Sequence, residues 1–213
     1  MSIRSTHLLV AGAFGPAVFV LGYLINGALQ AGYDSSHDTI SALSLAPHGW
    51  IQNSNFVLYG ILTVLFAEGL RRTASLRTVG YLALLVAAAG LIVIGFFPTD
   101  PVLGFPEGAP TVVTATGGIH NLGALVVFTA FPVAALTTVT RRSRLWSVFS
   151  IATAVFSIAA VGAFFAAVES TPAGAQSSAG FYERLPTLFI GLWQFVFVYR
   201  VLTKTNNVPF IGR

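Results

Sequence analysis

An all-α membrane fold, a polytopic bundle of six transmembrane helices with both termini in the cytoplasm, is what three observations on this sequence predict. Hydrophobic residues make up 55% of the 213 and charged residues only 8%, and mean hydropathy is +0.80. So few charges cannot coat a water-exposed surface. The apolar residues also fall in blocks of about twenty, the length at which a helix crosses roughly 30 Å of hydrocarbon. Finally, Lys and Arg collect in alternate gaps between those blocks, as short cytoplasmic loops do.

The first block, residues 8–29, is too long for the core of a signal peptide and reads as a retained span. Pro16 after Gly15 predicts a bend in it. The second span, 53–70, ends where Glu68 lies one turn from Arg71 and Arg72, a setting for local pairing rather than a buried proton relay. In the third, 79–97, Ala83, Ala87 and Gly90 share a face and predict close backbone packing. The fourth, 119–140, contains Pro132; the fifth covers 145–168 and the sixth 185–202. Two prolines at different offsets do not make an inverted repeat of broken helices, so bent, packed helices are expected. Asn26 and Gln194, within or near apolar spans, are expected to hydrogen-bond between helices. The blocks are too continuous to alternate as barrel strands, and the whole chain reads as one membrane domain, 1–213.

Ten of the eleven basic residues fall on one side of this topology: Arg4, Arg71, Arg72, Arg77, Arg141, Arg142, Arg144, Arg200, Lys204 and Arg213. That side is assigned to the cytoplasm of a cell membrane. Arg184 is the exception, sharing the outer side with Asp34, Asp38, Asp100, Glu107, Glu169 and Glu183. The net charge of +4 is therefore topogenic, and no basic stripe interleaved with aromatics points to nucleic acid. With no cysteine, disulfides, thiolate metal sites and a cysteine nucleophile are excluded.

Candidate chemistry lies on the outer face. In the first loop Asp34, His37, Asp38 and Ser41 follow helical spacing and would share one helix face. Such a set suits a divalent cation or acid and base work, while Ser35 and Asp38 also make a capping-box pattern for a short surface helix. Span three closes on FPTD and span four opens on GGIHN, which puts Asp100 and His120 at one depth, able to face each other. Adjacent Glu183 and Arg184 open span six. An arginine on the wrong side calls for a partner, either an outer carboxylate or an anionic head group. His48 beside Trp50 fits an interfacial belt.

Five short motifs, taken in order, carry a resemblance: GYD then HDTISAL in the first loop, N-x-x-F at Asn53 to Phe56, FPTD closing span three and IHNLGA opening span four. By them the chain resembles a prokaryotic family of six-pass membrane proteins catalogued as domain of unknown function nine-nine-eight. The likeness runs from span one to span six and implies the fold, with no activity to carry over. More remotely, the polar first loop and the histidine opening span four are similar to the FRAG/DRAM/SFK membrane group, which is linked to lipid handling. That group's aspartate-threonine-glycine run is replaced here by Ile40, Ser41, Ala42 and Leu43, which leaves a lipid role thinly supported.

The leading expectation is an enzyme acting on a lipid, isoprenoid or other amphiphile. Asp34, His37, Asp38, Asp100, His120 and Glu183 would supply acid, base or ligands for a possible divalent cation, and Ser41, Asn121 and Arg184 would hold the substrate. The 18 Phe residues could line its pocket or simply pack. A small transporter or lipid-binding protein, and a structural membrane subunit, are the alternatives. Coupled transport is disfavoured by the near absence of charge inside the spans.

Overall fold

The computed structural model describes residues 3–206, apart from Ala74, Thr111, Ala173 and the side chains of Arg4, Lys204, Thr205 and Asn206. Arg213 and the side chains of Arg4 and Lys204, all used above for topology, lie outside the described residues. The described chain is all-helical: α1 (Ile3–Ala13), α2 (Gly15–Ala28), a 3-10 turn (Ser41–Leu45), α3 (Gly49–Arg72), α4 (Thr78–Phe96), α5 (Ala115–Thr137), α6 (Arg144–Ser170) and α7 (Ala179–Asn206). Six stretches are long and apolar enough to cross a membrane, the first being α1 and α2 together.

Where span one was expected to bend, it breaks. Phe14 separates α1 from α2, and Pro16 sits in the first turn of α2, where its missing N–H costs nothing. Pro132, in contrast, lies inside an uninterrupted α5. Helix starts run earlier than the hydropathy edges. α5 begins at Ala115 because Thr114 caps it, its hydroxyl accepting from Gly117 N. α7 begins at Ala179, so Glu183 and Arg184 lie within the helix instead of ahead of it.

The spans close into a ring in chain order. Each packs on the next, and α7 returns to α1 and α2. Small residues set the spacing: a Cβ at Gly90 of α4 would lie 3.0 Å from the Gly123 carbonyl of α5. Buried polar groups also cross between helices, with Asn55 Nδ2 donating to Phe19 O at 2.9 Å. Asn26, expected to do the same, instead accepts from Gln30 on its own segment.

The ring has two unlike ends. One, the arginine end, carries Arg71, Arg72, Arg77, Arg141, Arg142, Arg144 and Arg200. There Glu68 takes both Arg71, at 2.8 Å, and Arg72, at 2.6 Å. The other, the polar end, gathers the long loops before α3, α5 and α7, and it positions the site.

Candidate active site

The loop before α3 does not form the predicted helix over Asp34 to Ser41. It makes a turn, then the 3-10 segment from Ser41. The two aspartates stabilise the turn: Asp34 accepts from Ser36 N at 2.9 Å, and Asp38 accepts from Asp34 N at 2.8 Å. Such carboxylate-to-backbone bonds compete directly with helix formation. Asp34 therefore points outward while His37 and Asp38 are buried. Burial pushes the Asp38 carboxyl above its usual range, against the lowering effect of the Asp34 N–H.

His37 ties three loops together. Ser177 N donates to its Nδ1 at 2.8 Å, which leaves Nε2–H to donate to Leu103 O at 3.1 Å. Both ring nitrogens are spent. His37 Nε2 also stands 3.9 Å from Asp38 Oδ1.

The loop is then stitched along the first turns of α7. Gly180 N donates to His37 O at 3.1 Å and Phe181 N to Ser36 O at 3.0 Å, so loop carbonyls satisfy N–H groups that a helix start leaves open. Only glycine fits at 180, because a Cβ there would lie 2.3 Å from Asp38 O. Arg184 Nη1 donates to Asp38 O at 3.1 Å and to Gly180 O at 2.6 Å, and Nη2 donates to the Tyr33 hydroxyl. Its guanidinium also lies over the rings of Tyr23 and Tyr33. Burial raises the Tyr33 phenol well above its usual value, and the Arg184 charge acts against this. Among the described residues Arg184 makes no ion pair. The unpaired arginine is thus answered by carbonyls and rings.

Asp100 and His120 do not bond to each other. Asp100 accepts from Thr114 N at 2.9 Å and from Thr114 Oγ1 at 2.6 Å, extending the cap of α5. Those donors hold its carboxyl below the usual aspartate value. His120, 1% exposed, turns inward instead. Its Nδ1 lies 2.7 Å from Phe97 O and its Nε2 lies 2.9 Å from Ser41 Oγ. A carbonyl can only accept, so Nδ1 carries the proton and, in the neutral ring, Nε2 presents a lone pair to the serine.

Ser41 faces Glu183 as well, with Oγ 3.3 Å from Oε1, while Glu183 Oε2 accepts the Ile40 N–H. One hydroxyl hydrogen thus stands between a base and a buried carboxyl group. Pointed at His120, it makes Ser41 an activated nucleophile with an oriented base.

Ser41 and Glu183 cap a cavity on the axis of the ring. Every span contributes to its wall, including Phe19, Phe56, Ile94, Phe131, Ser157 and Ile190. Its volume is about 50 Å³ in the measure by which one water needs about 10–15 Å³.

The chain matches the model of the family described as Protein of unknown function (DUF998) over residues 13–200. It belongs to that family. No curated protein and no solved structure matches it. Within this DUF998 fold the candidate residues separate into groups. His120, Ser41 and Glu183 converge at the cavity head; His37, Asp38 and Arg184 brace the loop behind it; Asp34 and Asn121 are exposed, and Asp100 caps α5. Among the described residues no three His, Asp or Glu side chains gather as a cation site would need.

Sequence reasoning passed over Phe97, whose contribution is a backbone carbonyl, and Tyr59, Ser157 and Phe19 in the wall. One signal for Ser157 was available. Ser150, Thr153 and Ser157 form a buried polar stripe on α6, which an apolar span does not need for packing in lipid.

Proposed function

We propose that this membrane protein is a serine-dependent acyl hydrolase that cleaves an ester or amide of an amphiphile. One observation carries the reading: Ser41 Oγ lies 2.9 Å from His120 Nε2, and Phe97 O fixes the ring so that this nitrogen is the base. Nucleophile, base and orienting group are the parts that acyl transfer requires. The cavity below holds the apolar chain, with the scissile carbonyl at Ser41.

In this reading Ser41 Oγ attacks the carbonyl carbon as its proton passes to His120 Nε2. His120 then gives that proton to the leaving alcohol or amine, and Glu183, in its acid form, donates to the carbonyl oxygen as charge develops there. Water, activated by His120, releases the acid and restores Ser41. A lipid carrier or transporter would share the cavity, but it has no need of an oriented base at the cavity head.

The arginine end faces the cytoplasm in this account and the site opens toward the outer leaflet, where membrane lipid is the substrate pool. An impermeant thiol reagent on intact cells should then label Ser36→Cys and spare Ser75→Cys.

Turnover tests the activity. Purified protein incubated with a natural lipid extract should release free acids detected by mass spectrometry, and Ser41→Ala and His120→Gln should each lower release by about 100-fold or more, the scale of a lost acid-base partner. Release unchanged in both variants would overturn the assignment.

A further inference from the structure

The inner end of the cavity is not apolar. Tyr59 and Ser157 line it, and the Tyr59 hydroxyl lies 3.4 Å from Gln194 Oε1. Ser157 is 1% exposed and Gln194 is fully buried, yet among the described residues Ser157 Oγ and Gln194 Nε2 have no hydrogen-bond partner. Leaving such groups unsatisfied is costly anywhere, and more so where lipid excludes water. Ser150, two turns along the same stripe of α6, shows the ordinary outcome: Trp193 Nε1 and Thr138 Oγ1 both meet its hydroxyl.

Glu183, Thr187 and Ile190, on one face of α7, line the cavity together with Ser157 of α6, whereas Gln194, next on that face, stands behind Tyr59 and outside the lining. Below Ser41 and Glu183 at its head, the cavity therefore meets Tyr59 and Ser157. The wall also includes Phe19, Phe56, Phe131 and aliphatic side chains. A plain hydrocarbon tail would cover the Ser157 hydroxyl without a bond. A cation finds no carboxylate there. A hydroxyl fits, since it can accept from Tyr59 Oη and donate to Ser157 Oγ, and a carbonyl can take both hydroxyl donors.

We infer that Tyr59 and Ser157 form a second polar subsite, which receives a hydroxyl or carbonyl oxygen carried along the apolar chain of the substrate. The inference rests on the proposed reading in placing the scissile carbonyl at Ser41. The substrate class narrows to acyl chains oxygenated along their length.

The test uses the purified full chain in nanodiscs. Binding of octadecanoic acid is compared with that of monohydroxy octadecanoic acids whose hydroxyl is moved along the chain. One position along the chain should bind about fivefold tighter than the parent acid, the gain of about one hydrogen bond. Ser157→Ala and Tyr59→Phe should each return that ratio to about one while still binding the parent acid. The inference is overturned if no position improves on the parent acid, or if the advantage persists in both variants. Ser41→Ala should keep the positional preference, which separates this claim from catalysis. Turnover dependent on Ser41 without any preference would remove the subsite alone, and a preference without turnover would remove the hydrolase reading alone.

Discussion

At the arginine end of the bundle, charges are exposed and find partners within a single helical turn, as Glu68 does with Arg71 and Arg72. Arg184 at the polar end is held by Gly180 O one turn back on α7, and also by Asp38 O and two tyrosines from other segments. The first arrangement orients the protein; the second shapes it. Removing an exposed local pair costs little, because water replaces it. Removing a cation that serves buried carbonyls leaves those carbonyls without donors.

The largest expected effect is therefore at Arg184. Arg184→Ala should destabilise the protein by about 2–4 kcal/mol, seen as a clear fall in melting temperature in detergent, whereas Arg71→Ala should leave that temperature within error. Equal falls would erase the distinction between the ends.

Gly180→Ala probes the same seam without touching charge. Its new methyl group would meet Asp38 O, so a loss of about 1–3 kcal/mol is expected, as for overpacking in a core. Turnover should fall too, because Ser41 rides on the displaced loop. A variant as stable and active as the parent would show that loop and helix need not approach so closely.

Smaller still are two opposite pH effects. Asp38 has a raised pKa, so its contribution to stability declines as pH rises from about 4, the unfolded aspartate value, toward the raised one. Asp100 has a lowered pKa; its contribution is present above the ordinary value and is lost as pH falls through the depressed one. Melting temperatures across acid pH should show Asp38→Asn gaining on the parent as pH rises, and Asp100→Asn gaining only at the acid extreme. Parallel profiles for all three proteins would contradict the assigned burial and capping.

The same contrast explains what was legible in the sequence. Hydropathy and charge set out six spans, because both are summed over many residues. Gly15 and Pro16 signalled a bend in span one, whereas the helix breaks there at Phe14. Ser41, His120 and Glu183 were each singled out, but with other neighbours. Helical spacing grouped Ser41 with Asp34 and Asp38, and equal depth paired His120 with Asp100. What redirected them was backbone: the Asp34 and Asp38 bonds that stop a helix, Thr114 claiming Asp100, and Phe97 O turning His120 inward. A carbonyl has no letter in the sequence, so partners of that kind emerge only with the fold.

If Ser41 is a nucleophile made reactive by His120, a covalent probe with an alkyl tail will find it. The protein should be exposed to a fluorophosphonate carrying an alkyl chain and digested, and the modified residue mapped by mass spectrometry. One adduct on Ser41 is expected, abolished in Ser41→Ala and formed at least about 100-fold more slowly in His120→Gln. An unmodified Ser41 under conditions that label a known serine hydrolase, or equal labelling with and without the His120 imidazole, would contradict a nucleophile activated by His120.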